Sequence, residues 1–195
     1  MRVEGPALLW LERVMLGGGA ACLLWAASHS LEARQFQTSA LELLRAESAR
    51  RPDASPAPAA LRRGAVIGAL AIPRLDLSTV VVEGDDDEML AVAAGHLPDT
   101  PLPWDAGNTA VAAHRDTFFR GLVHVREGDE MSLSTPHGTF TYRVRETLVV
   151  RPSDVWVLGN TSQPMLTLVT CYPFDWAGPA PKRFIVRADR VRVGA

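Results

Sequence analysis

Three residues of this chain have the chemistry for covalent catalysis. Cys171 closes the apolar run Met165–Thr170. His114 follows the small-residue run Asn108–Ala113, and Arg183 opens the last apolar segment, twelve residues after Cys171. A thiol attacks only as thiolate, and an unperturbed pKa near ~8.5 leaves a few per cent ionised at neutral pH. It therefore needs a base or ion-pair partner, which a histidine supplies. Attack on a carbonyl builds negative charge on its oxygen, and a fixed guanidinium stabilises that charge. A cysteine, a histidine and an arginine together are chemically complete for acyl transfer from a peptide. By type alone each also has a blander use: a core thiol, a structural imidazole, a solvated edge charge. A coupled Cys171–His114 pair predicts a bell-shaped pH dependence with two macroscopic pKa values.

The remaining residues narrow the alternatives. Cys22 and Cys171 are the two cysteines, too few for a disulfide scaffold or for zinc sites of three or four cysteines. No tight C-x-x-C or H-x-x-x-H spacing occurs, so no metal site is expected. The acidic run Asp85-Asp86-Asp87-Glu88 reads as a helix N-terminus, with Asp85 and Glu88 as a capping box, and not as an EF-hand loop. Lys182 is the one lysine, which excludes Schiff-base chemistry elsewhere, and a net charge of −2 argues against nucleic-acid binding by bulk charge. His96 is expected to be structural, and His124 and His137 solvated. Asp116 is expected to serve as a turn or cap residue.

These side chains need a scaffold. The chain has 195 residues, 47% of them hydrophobic, which suits one domain plus additional chain. Val14–Leu31 is 18 residues without a formal charge, near the lower limit for a bilayer-spanning helix, with Trp10 and Trp25 toward its edges. A cleaved signal peptide with its cut near Ala26–Ser28 is the rival; either exports the rest. Leu31, Phe36, Leu41 and Leu44 then mark a short amphipathic stalk helix, and the Pro-rich stretch Pro52–Ala60 a stiff linker that holds the domain off a surface. The expected division is 1–31 anchor or signal, 32–60 stalk and linker, and 61–195 catalytic domain. Strands are expected over Val66–Ile72, Leu77–Val82, Asn108–Ala113, Glu130–Thr135, Thr139–Arg145, Met165–Thr170 and Arg183–Val193, with Thr147–Val150 continuing or adding one. A helix is expected after Glu88 and a Pro-rich loop over Leu97–Gly107. Many short strands between frequent turns indicate a mainly β domain, a closed or nearly closed barrel.

The segments Ala113-His114-Arg115-Asp116-Thr117-Phe118-Phe119, Thr167-Leu168-Val169-Thr170-Cys171-Tyr172-Pro173-Phe174 and Pro181-Lys182-Arg183-Phe184-Ile185-Val186 resemble the three signature segments of a sortase. Gly95-His96-Leu97-Pro98-Asp99-Thr100 resembles the loop after the first helix of that family, and the TCYPF form is most similar to class D and the related Gram-negative sortases. The resemblance runs from about Gly64 to Val193. It implies an eight-stranded β-barrel with one or two short helices behind a membrane-anchoring helix. It also implies cleavage of an LPXTG-type C-terminal sorting signal on an exported protein, a thioester on cysteine, and transfer to an amine of a cell-wall precursor or protein. Carried over, Cys171 is the nucleophile, His114 the general acid/base and Arg183 the binder of substrate and oxyanion. Thr170 would line the peptide groove and the Tyr172 backbone N–H would join the oxyanion hole. No cofactor is implied, and calcium dependence stays open. The expected location is the cell membrane with a single pass, and Arg2 and Arg13 ahead of the span put the N-terminus in the cytoplasm by the positive-inside rule. The family usually has glycine at the position of Ala113, and a methyl group there would crowd the groove or shift the His114 backbone. Rival readings of the same residues are a hydrolase that releases peptides to water and an inactive barrel that binds exported peptide. No histidine-glycine-cysteine segment of an L,D-transpeptidase is present.

Overall fold

The computed structural model describes residues 6–50 and 61–191. Eight strands close into a barrel: β1 (Val66–Ile72), β2 (Leu77–Glu83), β3 (Ala94–His96), β4 (Asn108–Ala112), β5 (Glu130–Thr135), β6 (Gly138–Val150), β7 (Met165–Tyr172) and β8 (Lys182–Arg190). Their order around the wall is β1-β2-β3-β4-β7-β8-β6-β5, with β5 pairing back to β1. The β2–β3 and β4–β7 pairs are parallel and the rest antiparallel. Side chains alternate across a strand, and the inward phase is apolar: Leu70 and Ile72 of β1, Val111 of β4, Leu133 of β5, Leu166 and Leu168 of β7, and Val186 and Ala188 of β8 share one core. Phe119 and Leu122, both fully buried, plug it from the connection after β4.

Several boundaries differ from expectation for reasons of pairing. β3 is only Ala-Gly-His, without a β-branched residue, and borrows its regularity from β2 and β4 on either side. A Cβ at Gly95 would collide with the carbonyl of Gly84, so this close parallel approach requires glycine. The two segments expected at 139–145 and 147–150 are one strand, β6, bent by a bulge between Val144 and Glu146 that lets it follow β8. β8 ends at Arg190; Arg192 and Val193, expected in that strand, lie outside the described residues.

Helix α2 (Asp87–Val92) is capped by Asp86, whose carboxylate accepts from the N–H groups of Glu88 and Met89. The capping box expected from Asp85 and Glu88 is therefore not the one formed. Glu88 instead receives Arg63 Nη2 at 2.6 Å, and the same guanidinium bonds both oxygens of Asp86. That contact holds the Asp86 carboxyl down at about 2.

The N-terminal part is one helix, α1 (Pro6–Arg50), of 45 residues. Its apolar stretch is long enough to cross a membrane and carries exposed Trp10, Leu16, Leu23 and Trp25. Further on, Phe36, Ala40 and Leu41 pack against Val80, Val82, Ala93 and Met89. Gln37 clamps the contact at both ends of its amide: Nε2 donates to Val92 O at 2.8 Å, and Oε1 accepts from Val80 N at 2.7 Å. Val80 precedes the point where β3 begins to pair with β2, so the side-chain amide takes the place of a strand neighbour there. The stalk residues thus continue α1 without a break and lie against the barrel, ahead of the linker expected to hold the domain away. The linker itself, Pro52–Ala60, lies outside the described residues.

Candidate active site

β4, β7 and β8 are neighbours in the wall, and their phases decide what faces out. Leu166, Leu168 and, by alternation, Thr170 point inward, so Val169 and Cys171 point outward. Val111 and Ala113 point inward, so Ala112 and His114 point outward. Val186 and Ala188 point inward, so Arg183 points outward. Cys171 pairs directly with Arg183 across β7–β8. Ala112 is level with Val169 in the parallel β4–β7 ladder, and Ala113 N continues it to Val169 O at 3.2 Å. β4 ends at Ala112, and His114 follows two residues later at the end of the barrel where Cys171 lies. All three half-buried side chains therefore leave one end of the barrel on the same outer face.

The backbone here is held from the inside. Thr170 is 2% exposed, and its hydroxyl donates to Ala113 O at 2.7 Å. Thr170 was expected to line the peptide groove; its inward phase, opposite to that of Cys171, makes it a tie between β7 and the residue before His114 instead. Ala113 is 5% exposed, and its methyl belongs to the barrel core. It lies opposite His114 and does not enter the outer groove, contrary to the crowding expected. On the other side Phe119 N donates to His114 O at 3.1 Å, and the buried Phe119 ring fixes that turn. Tyr172, Phe174 and Phe184 cluster with ring centroids 5.3 to 6.3 Å apart and brace the start of the β7–β8 connection. Arg183 Nη1 donates to Lys182 O at 3.1 Å and Ala180 O at 3.3 Å.

The other candidates are elsewhere. His96 is buried in β3, with Nδ1 2.8 Å from Glu83 Oε2 and Nε2 within reach of Pro101 O and Thr100 Oγ1; its role is structural. His124 is exposed, but His137 meets the Trp104 ring edge-on at 4.2 Å between centroids and is not simply solvated. Asp116 is exposed in the turn after His114. Among the described residues no group of three His, Cys, Asp or Glu side chains is placed to hold a metal ion. A cavity of about 710 Å³ opens beside Arg145, Gln163, Met165, Arg187 and Asp189. Met165 pairs with Asp189 at the opposite end of β7–β8 from Cys171, about 20 Å away. That cavity is therefore remote from Cys171 and Arg183.

The family model for the sortase domain matches residues 70–191. The chain belongs to the sortase family. It is 36% identical over 129 residues to Sortase D of Bacillus subtilis, a match covering 66% of this chain and 65% of the relative. It is 29% identical over 127 residues to Sortase A of Listeria monocytogenes, covering 63% and 55%. The matched part thus spans between half and two thirds of these curated relatives. Among solved structures, a Clostridium perfringens Sortase D5 transpeptidase superposes with a TM-score of 0.67 at 25% identity, over 80% of this chain and 99% of that one. The closed eight-stranded barrel with few helices is the sortase architecture, and the apolar helix ahead of it is a candidate membrane span.

Proposed function

We propose that this sortase is a membrane-anchored cysteine transpeptidase whose barrel works outside the cytoplasm, with the N-terminus inside. The reading rests on one observation above the others: Cys171 and Arg183 pair directly across β7–β8 on the outer face, and His114 follows the end of the neighbouring strand β4. Cys171 Sγ attacks the threonine carbonyl carbon of an LPXTG-type sorting signal. The bond to the following glycine nitrogen breaks, His114 gives that nitrogen a proton, and a thioester remains. An incoming amine then attacks the thioester, His114 takes its proton, and the carbon–sulfur bond breaks to restore the thiolate. Arg183 and the Tyr172 N–H stabilise the oxyanion in both halves. The clients are exported proteins bearing the signal, and the acceptor is an amine of a cell-wall precursor or another protein.

Intact mass spectrometry tests this on the full chain in detergent micelles, incubated with an LPXTG-type peptide and hydroxylamine. A peptide hydroxamate that disappears in Cys171→Ala is the expected result. Hydrolysis unchanged by added amine would make the protein a hydrolase. No product across a panel varying the fifth signal residue would make it a peptide-binding barrel.

A further inference from the structure

The connection between Cys171 and Arg183 has little to hold it in place by itself. Pro173, Pro179 and Pro181 lack N–H donors, and residues 175–179 are exposed. Trp176 Nε1 donates to Pro179 O at 3.1 Å, which closes the loop on itself without attaching it to the barrel. Among the described residues, the hydrogen bonds that reach 175–179 from outside come from one side chain, Arg115. Its Nη2 donates to Trp176 O at 2.6 Å and to Gly178 O at 3.2 Å. Arg115 is the neighbour of His114 in the chain. Arg183, at the far end of the loop, bonds Ala180 O. Two guanidiniums thus grip three carbonyls of one short loop.

A solvated surface arginine would turn its free nitrogens to water. Arg115 does not: its Nη1 is buried without an acceptor among the described residues. Holding a donor in that state costs free energy, which the rest of the contact must offset. Both loop bonds leave from the one nitrogen Nη2, whose two N–H groups divide between the two carbonyls.

Resting on the transpeptidase reading above, we propose that Arg115 is a positioning residue of the transfer reaction: it ties the loop bearing Trp176 and Gly178 to the turn bearing His114, so that Arg183 and His114 keep a fixed relation across Cys171. Released at 176 and 178, the loop lets the start of β8 shift, and the oxyanion partner is misplaced while the nucleophile is intact.

The test uses full chain labelled with 5-fluorotryptophan in detergent micelles. The five tryptophans give five fluorine signals, and Trp176→Phe identifies the one in the loop. In Arg115→Ala the Trp176 signal should shift and sharpen while the other four stay, which also shows that the barrel is folded. Hydroxamate formation should lose about ten- to a hundredfold in kcat with a smaller change in KM, and Arg115→Lys should fall between. A Trp176 signal unchanged in Arg115→Ala, or a kcat equal to wild type, overturns the proposal. Absence of hydroxamate from the wild-type chain overturns the transfer reading instead, and the Trp176 signal still decides whether the tether exists.

Discussion

Thr170→Val is the sharpest probe of how the barrel sets its catalytic edge. The substitution keeps the shape of a β-branched residue and removes only the hydroxyl that donates to Ala113 O at 2.7 Å. Thr170 is 2% exposed and Ala113 5%, so water does not replace the lost donor, and the carbonyl is left buried with one partner fewer. An orphaned buried acceptor costs about 1–3 kcal/mol. For a barrel of this size that corresponds to a drop of about 3–15 °C in the melting temperature. The damage is local to the residue before His114, where the ladder ends with Ala113 N on Val169 O. The Ala113 amide should therefore exchange with deuterium faster in the variant than in wild type, and by more than the amides at Leu166 and Leu168, which speed up only as far as global stability falls. Thr170→Ser is the companion variant. It keeps the hydroxyl and loses a methyl, so it should leave Ala113 exchange near wild type even though its core packing is poorer. Thermal melts by near-ultraviolet circular dichroism and residue-resolved exchange read both effects. A Thr170→Val protein that melts within about 1 °C of wild type, with unchanged Ala113 exchange, would refute the idea that this hydroxyl holds the edge.

Three other expectations can be checked with the same methods. Glu83→Ala removes the carboxylate 2.8 Å from buried His96 Nδ1 and leaves that ring nitrogen without its partner, which should cost about 1–3 kcal/mol in denaturant titration; an unchanged midpoint would mean that the pair contributes nothing. Gln37→Ala removes the acceptor of Val80 N–H, so that amide should exchange at least about tenfold faster, a change of about 1.4 kcal/mol, with the barrel otherwise protected; equal protection would show that α1 does not clamp β2. Acid should also destabilise the fold. Arg63 holds Asp86 at about 2, below its ordinary 3.8, and Arg74 lowers Asp129, so both contacts stabilise fully above about pH 4 and are lost as pH falls through the folded values. The melting temperature should drop between pH 4 and 2, and the drop should be shallower in Arg63→Ala; parallel curves for the two proteins would contradict it.

Much of the barrel was legible because alternation and turn chemistry are local. The runs at 66–72, 130–135 and 165–170 carry their own period, and the strands form there. What failed to show was whatever depends on a partner. Ala94–His96 has no strand propensity of its own and is a strand because β2 and β4 flank it. Asp85, Asp86 and Asp87 are equivalent on paper; Asp86 is the cap because its neighbours and Arg63 meet there. At the candidate site, residue types and order along the chain pointed to 114, 171 and 183. Their common outer face needed the parallel register of β4 with β7, which no local pattern encodes. The inward turn of Thr170 is the same lesson in miniature: adjacent residues of a strand cannot both face a groove. Arg115 lies within the sortase-like segment that carries His114, and only the fold brings it to a loop 61 residues further on.

The clamp at Gln37 has a bearing on reach. If the apolar stretch ends near Leu31, Gln37 lies six residues beyond it, about 9 Å along the helix axis. Were that stretch to span a membrane, a barrel fastened there would be held at a set height above it and would not sample the volume that a free tether allows. Client and acceptor would then have to be presented within a thin layer above the bilayer. Two proteins with identical chemistry at Cys171 but different helix phase at Gln37 would serve different layers of the envelope.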